Sequence, residues 1–222
     1  MNSELFVSAL SKVHLDSVFN PYSDHCKIHD GPNAAKVRRS NLIGYLSAIE
    51  ELGTNTIWMG RDLGYRGGRR TGLVLTDEAH LSDMEDCYPG SVPTRATVGS
   101  VVGERTATEI WAVIRMLSSP PLLWNVFPFH PHEVDQPMTN RKFSAKELAE
   151  VDELNRELVS WLRISRIVCI GQDASKYAST FGVEVECVRH PSYGGVIEFR
   201  AGIRQLYGSF ITSGVKGQSA LF

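Results

Sequence analysis

The sequence predicts an α/β fold: a single three-layer α/β/α domain on a central four-stranded parallel sheet. Short apolar runs alternate along the chain with longer segments of helical periodicity, the order that builds parallel sheets. The short runs are apolar at successive rather than alternate positions, as in strands covered by helices on both faces. Such folds bind ligands beyond the carboxyl ends of their strands. Three of the four expected strand ends lead into Gly60–Gly72, Asn125–His132 and His190–Gly195, where polar and glycine residues collect.

Residues 1–33 read as an N-terminal extension of one domain covering 1–222. Over 34–52, Val37, Leu42, Leu46, Ile49 and Leu52 recur at helical spacing, and Gly53 stops the helix. Thr56-Ile57-Trp58-Met59 is a buried strand ending at Gly60, followed by a long loop rich in Gly and Arg. A second helix covers 104–118, ended by Pro120-Pro121, and Leu122 to Phe127 is the second strand. Pro128 to Arg141, with its prolines and histidines, reads as a loop. Ser144 and Glu147 form a capping box for a helix running to about Leu162. Arg166 to Gly171 and Val183 to Val188 are the third and fourth strands, with a short helix near 172–181 between them. A last helix covers about 196–212, and 213–222 read as a loose tail.

A chain of 222 residues suits one domain. With 23 Lys+Arg against 25 Asp+Glu, 42% apolar and 22% charged residues, disordered, fibrous and coiled-coil classes are excluded. No run of about 18 apolar residues marks a membrane span, and no secretory signal opens the chain, so a cytoplasmic monomer is expected. Cys26, Cys87, Cys169 and Cys187 form no C-x-x-C pair, which argues against a disulfide scaffold or a locally spaced cluster. His25, Cys26 and His29 form the one compact metal-like group, read here as a polar loop with one buried thiol. Lys36-Val37-Arg38-Arg39 reads as a solvated helix face.

The loop Gly60–Gly72 follows a strand but lacks both G-x-G-x-x-G and the G-K-[ST] ending, which argues against a dinucleotide or nucleoside triphosphate site. Its glycines permit close backbone approach, and Arg66, Arg69 and Arg70 suit phosphate. Asp62 there either caps the turn or orients a water. Asn125, inside an apolar strand, needs a partner from backbone or ligand, and its amide offers the donor and acceptor that suit a base edge. His190, at a strand end in His190-Pro191-Ser192, is either satisfied by its surroundings or donates to a developing anion.

Together these residues resemble the uracil-DNA glycosylase superfamily over most of the chain. The segment from Gly60 through Asp62 to Gly72 keeps the spacing of its first motif, Asn125 matches a base-reading asparagine, and His190-Pro191-Ser192 opens its second motif. A bacterial subgroup is similar in more detail, through Gly64-Tyr65-Arg66-Gly67 with Thr71-Gly72, Asn125 to Pro131, Asn140-Arg141, and His190 to Gly195 with Phe199. The resemblance implies a monofunctional DNA glycosylase that flips a nucleotide into a pocket and hydrolyses its N-glycosidic bond, with no metal or organic cofactor. Asp62 and His190 are then the catalytic pair. Gly64, Tyr65, Leu75, Asn125 and Phe127 bind the base, and Arg66, Arg69, Arg70, Ser192, Tyr193 and Gly194 bind DNA.

The departures from the family pattern carry information too. Leu63 replaces a proline, and Leu75 stands where a base-stacking phenylalanine is usual, so Tyr65 or Phe127 is expected to assist. Gly64 replaces the tyrosine that excludes the thymine methyl, and Gly194 a wedge leucine, leaving Tyr193 as the plug. These changes imply a pocket open to 5-substituted pyrimidines, phage-type hypermodified cytosine included. A catalytically weak module binding damaged or modified DNA, and an unrelated small-molecule hydrolase, are the competing expectations.

Overall fold

The computed structural model describes residues 1–208; the expected tail at 213–222 and the end of the last helix lie outside the described residues. In chain order the elements are α1 (Ser3–Ser11), β1 (Val18–Phe19), α2 (Ala34–Leu52), β2 (Thr56–Gly60), α3 (Gly68–Thr71), α4 (Leu81–Cys87), α5 (Arg105–Ile114), β3 (Leu122–Asn125), β4 (His130–Pro131), α6 (Ala145–Trp161), β5 (Arg166–Ile170), α7 (Gln172–Ala178), β6 (Glu184–Val188) and α8 (Val196–Tyr207). The main sheet has the order β3-β2-β5-β6 and every pair is parallel. β1 and β4 form a separate two-residue antiparallel ribbon. The expected α/β/α domain with a four-stranded parallel sheet is thus the observed architecture.

Register shows how the sheet is covered. Met59 pairs with Trp124 and Trp58 with Leu123, so the two tryptophans point to opposite faces. Trp58 packs edge-on against Phe199 and Tyr207 of α8 and donates its indole N–H to the Tyr207 hydroxyl at 2.8 Å. Trp124 lies against Phe6 of α1 and donates to Asn155 Oδ1 of α6 at 2.9 Å. The N-terminal segment is therefore no appendage: Phe6, Val7 and Leu10 of α1 belong to the central core. Asn155 is buried and saturated, since its Nδ2 also donates to the Val126 carbonyl and the Tyr177 hydroxyl.

Local signals acted as read at several boundaries. Gly53 ends α2 in the left-handed conformation, and Ser144 with Glu147 forms both halves of the capping box on α6. The expectation of strands apolar on both faces fails at β6, where Glu184 and Cys187 are exposed. This strand is the sheet edge, and Glu186 on it pairs with Arg166 on β5; charge at an edge discourages pairing with a second sheet.

Arg38 is a second correction. It is fully buried rather than solvated, with its guanidinium forked onto the Asp30 carboxylate at 2.9 and 2.8 Å. It also donates to the carbonyls of Pro21 and Asp24. Neighbouring Tyr22 donates its hydroxyl to the Gly72 carbonyl, which ties the N-terminal segment to the loop after β2.

Candidate active site

The sheet order places β2 and β5 side by side, while the chain leaves them toward opposite edges. A crevice opens beyond the carboxyl ends at such a switch point. Here it is a cleft of about 700 Å³ walled by the loops after β2, β3, β5 and β6. Seven of the expected site residues line it: Asp62, Gly64, Leu75, Asn125, His190, Ser192 and Tyr193.

Asn125 ends β3 in register with Gly60 at the end of β2. Its side chain is 1% exposed, and its Oδ1 has no hydrogen-bond partner. Asn155, by contrast, has its amide fully engaged, so Asn125 is the buried amide whose acceptor faces the cleft without a protein partner. Gly60 makes room for it, because a Cβ there would collide with Asn125 Oδ1. Gly60→Ala is therefore expected to leave a folded protein whose amide is displaced. Ligand affinity should fall about tenfold or more, at the scale of one lost hydrogen bond, and titration of a base-containing oligonucleotide against wild type and variant checks this.

Asp62 lies two residues past β2 with its side chain 8% exposed. Burial pushes its pKa above the ordinary carboxylate value, opposed by Arg61, whose Nε donates to Oδ2 at 2.7 Å. Arg61 in turn reaches Asp173 at 3.5 Å, and Lys142 pairs with the same acid, forming a small charged network at the cleft wall.

His190 receives the Ser192 backbone N–H on Nδ1 at 3.1 Å, and the Ser192 hydroxyl stands 2.7 Å from the same nitrogen. A neutral ring accepting at Nδ1 carries its proton on Nε2. Burial, with Arg61 and Arg189 nearby, pushes the histidine pKa below 6.5, so the neutral form is favoured. The residue lining the cleft thus holds an Nε2–H for an anion without being cationic itself.

Leu75 and Tyr193 both line the cleft with positive φ, 53° and 52°. Bulky residues seldom adopt this region, and such strain collects at functional sites. Tyr193, in the cleft wall, is 97% exposed.

Four expected site residues are placed elsewhere or serve otherwise. Arg69 and Arg70 are buried by the short helix α3 and cannot reach phosphate. The Arg69 guanidinium lies 3.8 Å from the Phe19 ring centre and donates to His130 Nδ1 at 2.8 Å. This fixes the His130 proton on Nε2, from which it donates to the Thr139 carbonyl. Arg70 donates to Glu78 and Thr97. Both arginines brace loops around the cleft. Phe127 is fully buried between Phe129 and Phe143, and only its backbone bears on the site, by donating to the Arg61 carbonyl. Tyr65 lies outside the cleft wall, its backbone N–H donating to Asn140 Oδ1. Gly194 belongs to the turn beside Tyr193, while Arg66 is exposed and donates to the Gly103 carbonyl.

Neither protein-family models nor curated proteins give a match to this chain.

The sequence reading missed Glu104 and Arg189, which also line the cleft. Arg189 is exposed and has no hydrogen-bond or ion-pair partner among the described residues. It precedes the histidine of the H-P-S motif, and that adjacency was the available signal. Among the described residues no group of three His, Cys, Asp or Glu gathers as a metal site; Cys26 and His29 meet each other at 3.6 Å, apart from the cleft.

Proposed function

We propose that this chain is a DNA glycosylase that hydrolyses the N-glycosidic bond of uracil or a 5-substituted pyrimidine. The unpaired, buried Oδ1 of Asn125 in a cleft that also holds Asp62 and His190 carries the reading. An acceptor left without a partner in the interior is costly, roughly 1–3 kcal/mol, and a base edge that donates to it recovers that cost. The H-P-S and Gly60–Gly72 motifs, which resemble those of uracil-DNA glycosylases, support the same reading.

In this mechanism the nucleotide leaves the duplex and its base enters the cleft. The C1′–N1 bond breaks, and its electron pair leaves with the base as an anion. His190 donates its Nε2–H toward the oxygen where that charge collects. The Asp62 carboxylate faces the oxocarbenium-like sugar and positions the water whose oxygen joins C1′, while the proton that water loses ends on the departed base anion, which leaves as the neutral base. In this reading Tyr193 fills the vacated stack, and the exposed Arg66 and Arg189 contact backbone phosphates.

The test uses labelled duplex and single-stranded oligonucleotides carrying uracil, hydroxymethyluracil, hydroxymethylcytosine or glucosylated hydroxymethylcytosine, followed by alkali. Strand scission at the modified position is expected for at least one of them. Tight binding without scission on any would leave a recognition module in place of an enzyme.

A further inference from the structure

Glu104 is an acid in the cleft that the proposed chemistry leaves unused. It is the N-cap residue of α5, where a side-chain oxygen can accept from the free N–H groups of the first turn. Glu104 makes no such bond. Its backbone is anchored through N–H donation to Asp77 Oδ2, and its side chain joins the cleft wall beside Gly64. A Cβ on Gly64 would lie 3.1 Å from Glu104 Oε1, and one on Gly67 would collide with Oε2. The two glycines therefore keep a slot open for this carboxylate. Neither oxygen has a hydrogen-bond or ion-pair partner among the described residues; Arg66, a nearby cation, is engaged with the Gly103 carbonyl instead. Burial and Asp77 push the Glu104 pKa up, against the pull of Arg66.

The cleft thus presents two acceptors that no protein donor engages: the buried Asn125 Oδ1 and the half-buried Glu104 carboxyl group. A complementary ligand offers two donors. On a pyrimidine nucleotide N1 holds the sugar, and the edge formed by positions 2, 3 and 4 carries the groups an amide reads. Of the two remaining carbons C6 abuts the sugar, so C5 is the position from which a substituent reaches a second wall. With glycine at position 64, the wall there is the Glu104 carboxyl group rather than an empty space.

We propose that Glu104 determines substrate specificity: the cleft selects a pyrimidine whose C5 substituent carries a hydrogen-bond donor, a hydroxyl- or amine-bearing group, over one with methyl. This rests on the base-excision reading above.

Single-turnover excision by the full chain is compared on matched oligonucleotides: 5-hydroxymethyluracil against thymine, and 5-hydroxymethylcytosine against 5-methylcytosine. Wild type is expected to favour the hydroxymethyl member of at least one pair by about tenfold or more, the scale of a hydrogen bond to a charged group. Glu104→Gln keeps one acceptor oxygen and should retain a reduced preference. Glu104→Leu should abolish or invert it. Thermal melting establishes that each variant is folded; if Glu104→Leu is not, the Gln variant and Glu104→Ala are read by the same ratio. Excision by wild type with a ratio that these variants leave unchanged overturns the inference alone. Absence of scission on every oligonucleotide, uracil included, overturns the excision reading and this inference with it.

Discussion

Asp62→Asn and His190→Ala are each expected to lower single-turnover excision by about 100-fold or more while the protein stays folded. Both substitutions remove charge or a donor at the reacting centre, and neither empties a core position, since both residues line the cleft. Asp62→Asn leaves shape and volume nearly intact, so a melting temperature within a few degrees of wild type is expected beside the lost rate. The pH profile offers an independent check. Burial raises the Asp62 pKa above 3.8 and lowers that of His190 below 6.5, and the working forms are carboxylate and neutral imidazole. Activity should be fully present at neutral pH and fall on acidification, with its acid limb between those two ordinary values. The Asp62→Asn variant should lose the part of that limb that belongs to the carboxylate. Near-normal rates for both variants would sink the assignment of roles.

Arg38→Met is expected to destabilise the fold by about 3–5 kcal/mol, the cost of stripping one partner from a buried ion pair. Both side chains of the Arg38–Asp30 pair are fully buried. The variant leaves the Asp30 carboxylate without its counter-charge, and the Pro21 and Asp24 carbonyls without their donor. Urea unfolding at neutral pH measures the loss. Its pH dependence has a definite sign. Burial works to raise the Asp30 pKa, but Arg38 and the Cys26 N–H hold it below 3.8 in the folded protein. The stabilisation is therefore present above that value and lost as pH falls through the folded pKa. The gap between wild type and variant should narrow below about pH 4, because protonated Asp30 no longer needs the guanidinium. A variant as stable as wild type would show that Arg38 is dispensable to the N-terminal packing.

These results bear on how much the amino-acid order determines alone. The four main strands and the longer helices between residues 34 and 207 were legible because they depend on neighbours in the chain, whereas α3, α4 and β4 fell in stretches that read as loop. Apolar runs such as Ile57-Trp58-Met59 have no stable home but a buried strand, Gly53 ends a helix by its backbone freedom, and Ser144 with Glu147 caps one from three residues away. The parallel sheet followed from that alternation. The gathering of Asp62, Asn125 and His190 in one cleft was also foreseeable, since each sits at or just past the carboxyl end of a strand.

What the chain order left open was the environment of each side chain. Arg38 sits in a stretch that reads as a solvated helix face, and Arg69 and Arg70 in a loop that reads as phosphate-binding, yet all three are buried, with Asp30, His130 and Glu78 as their partners. Helix α1 is short, and its apolar Phe6, Val7 and Leu10 become core only in the folded chain, where Trp124 and Trp161 meet Phe6. Phe127 sits two residues past Asn125, but Phe129 and Phe143 claim its ring for the core. Glu104 reads only as the start of the helix over 104–118, and only the fold sets its carboxyl group beside Gly64 and Gly67 in the cleft wall. Local backbone preference acts over a few residues and is written in the sequence. Burial, charge pairing and an unsatisfied acceptor are set by residues of other segments, from eight positions away for Asp30 and Arg38 to 61 for Arg69 and His130, and only the tertiary structure brings those together.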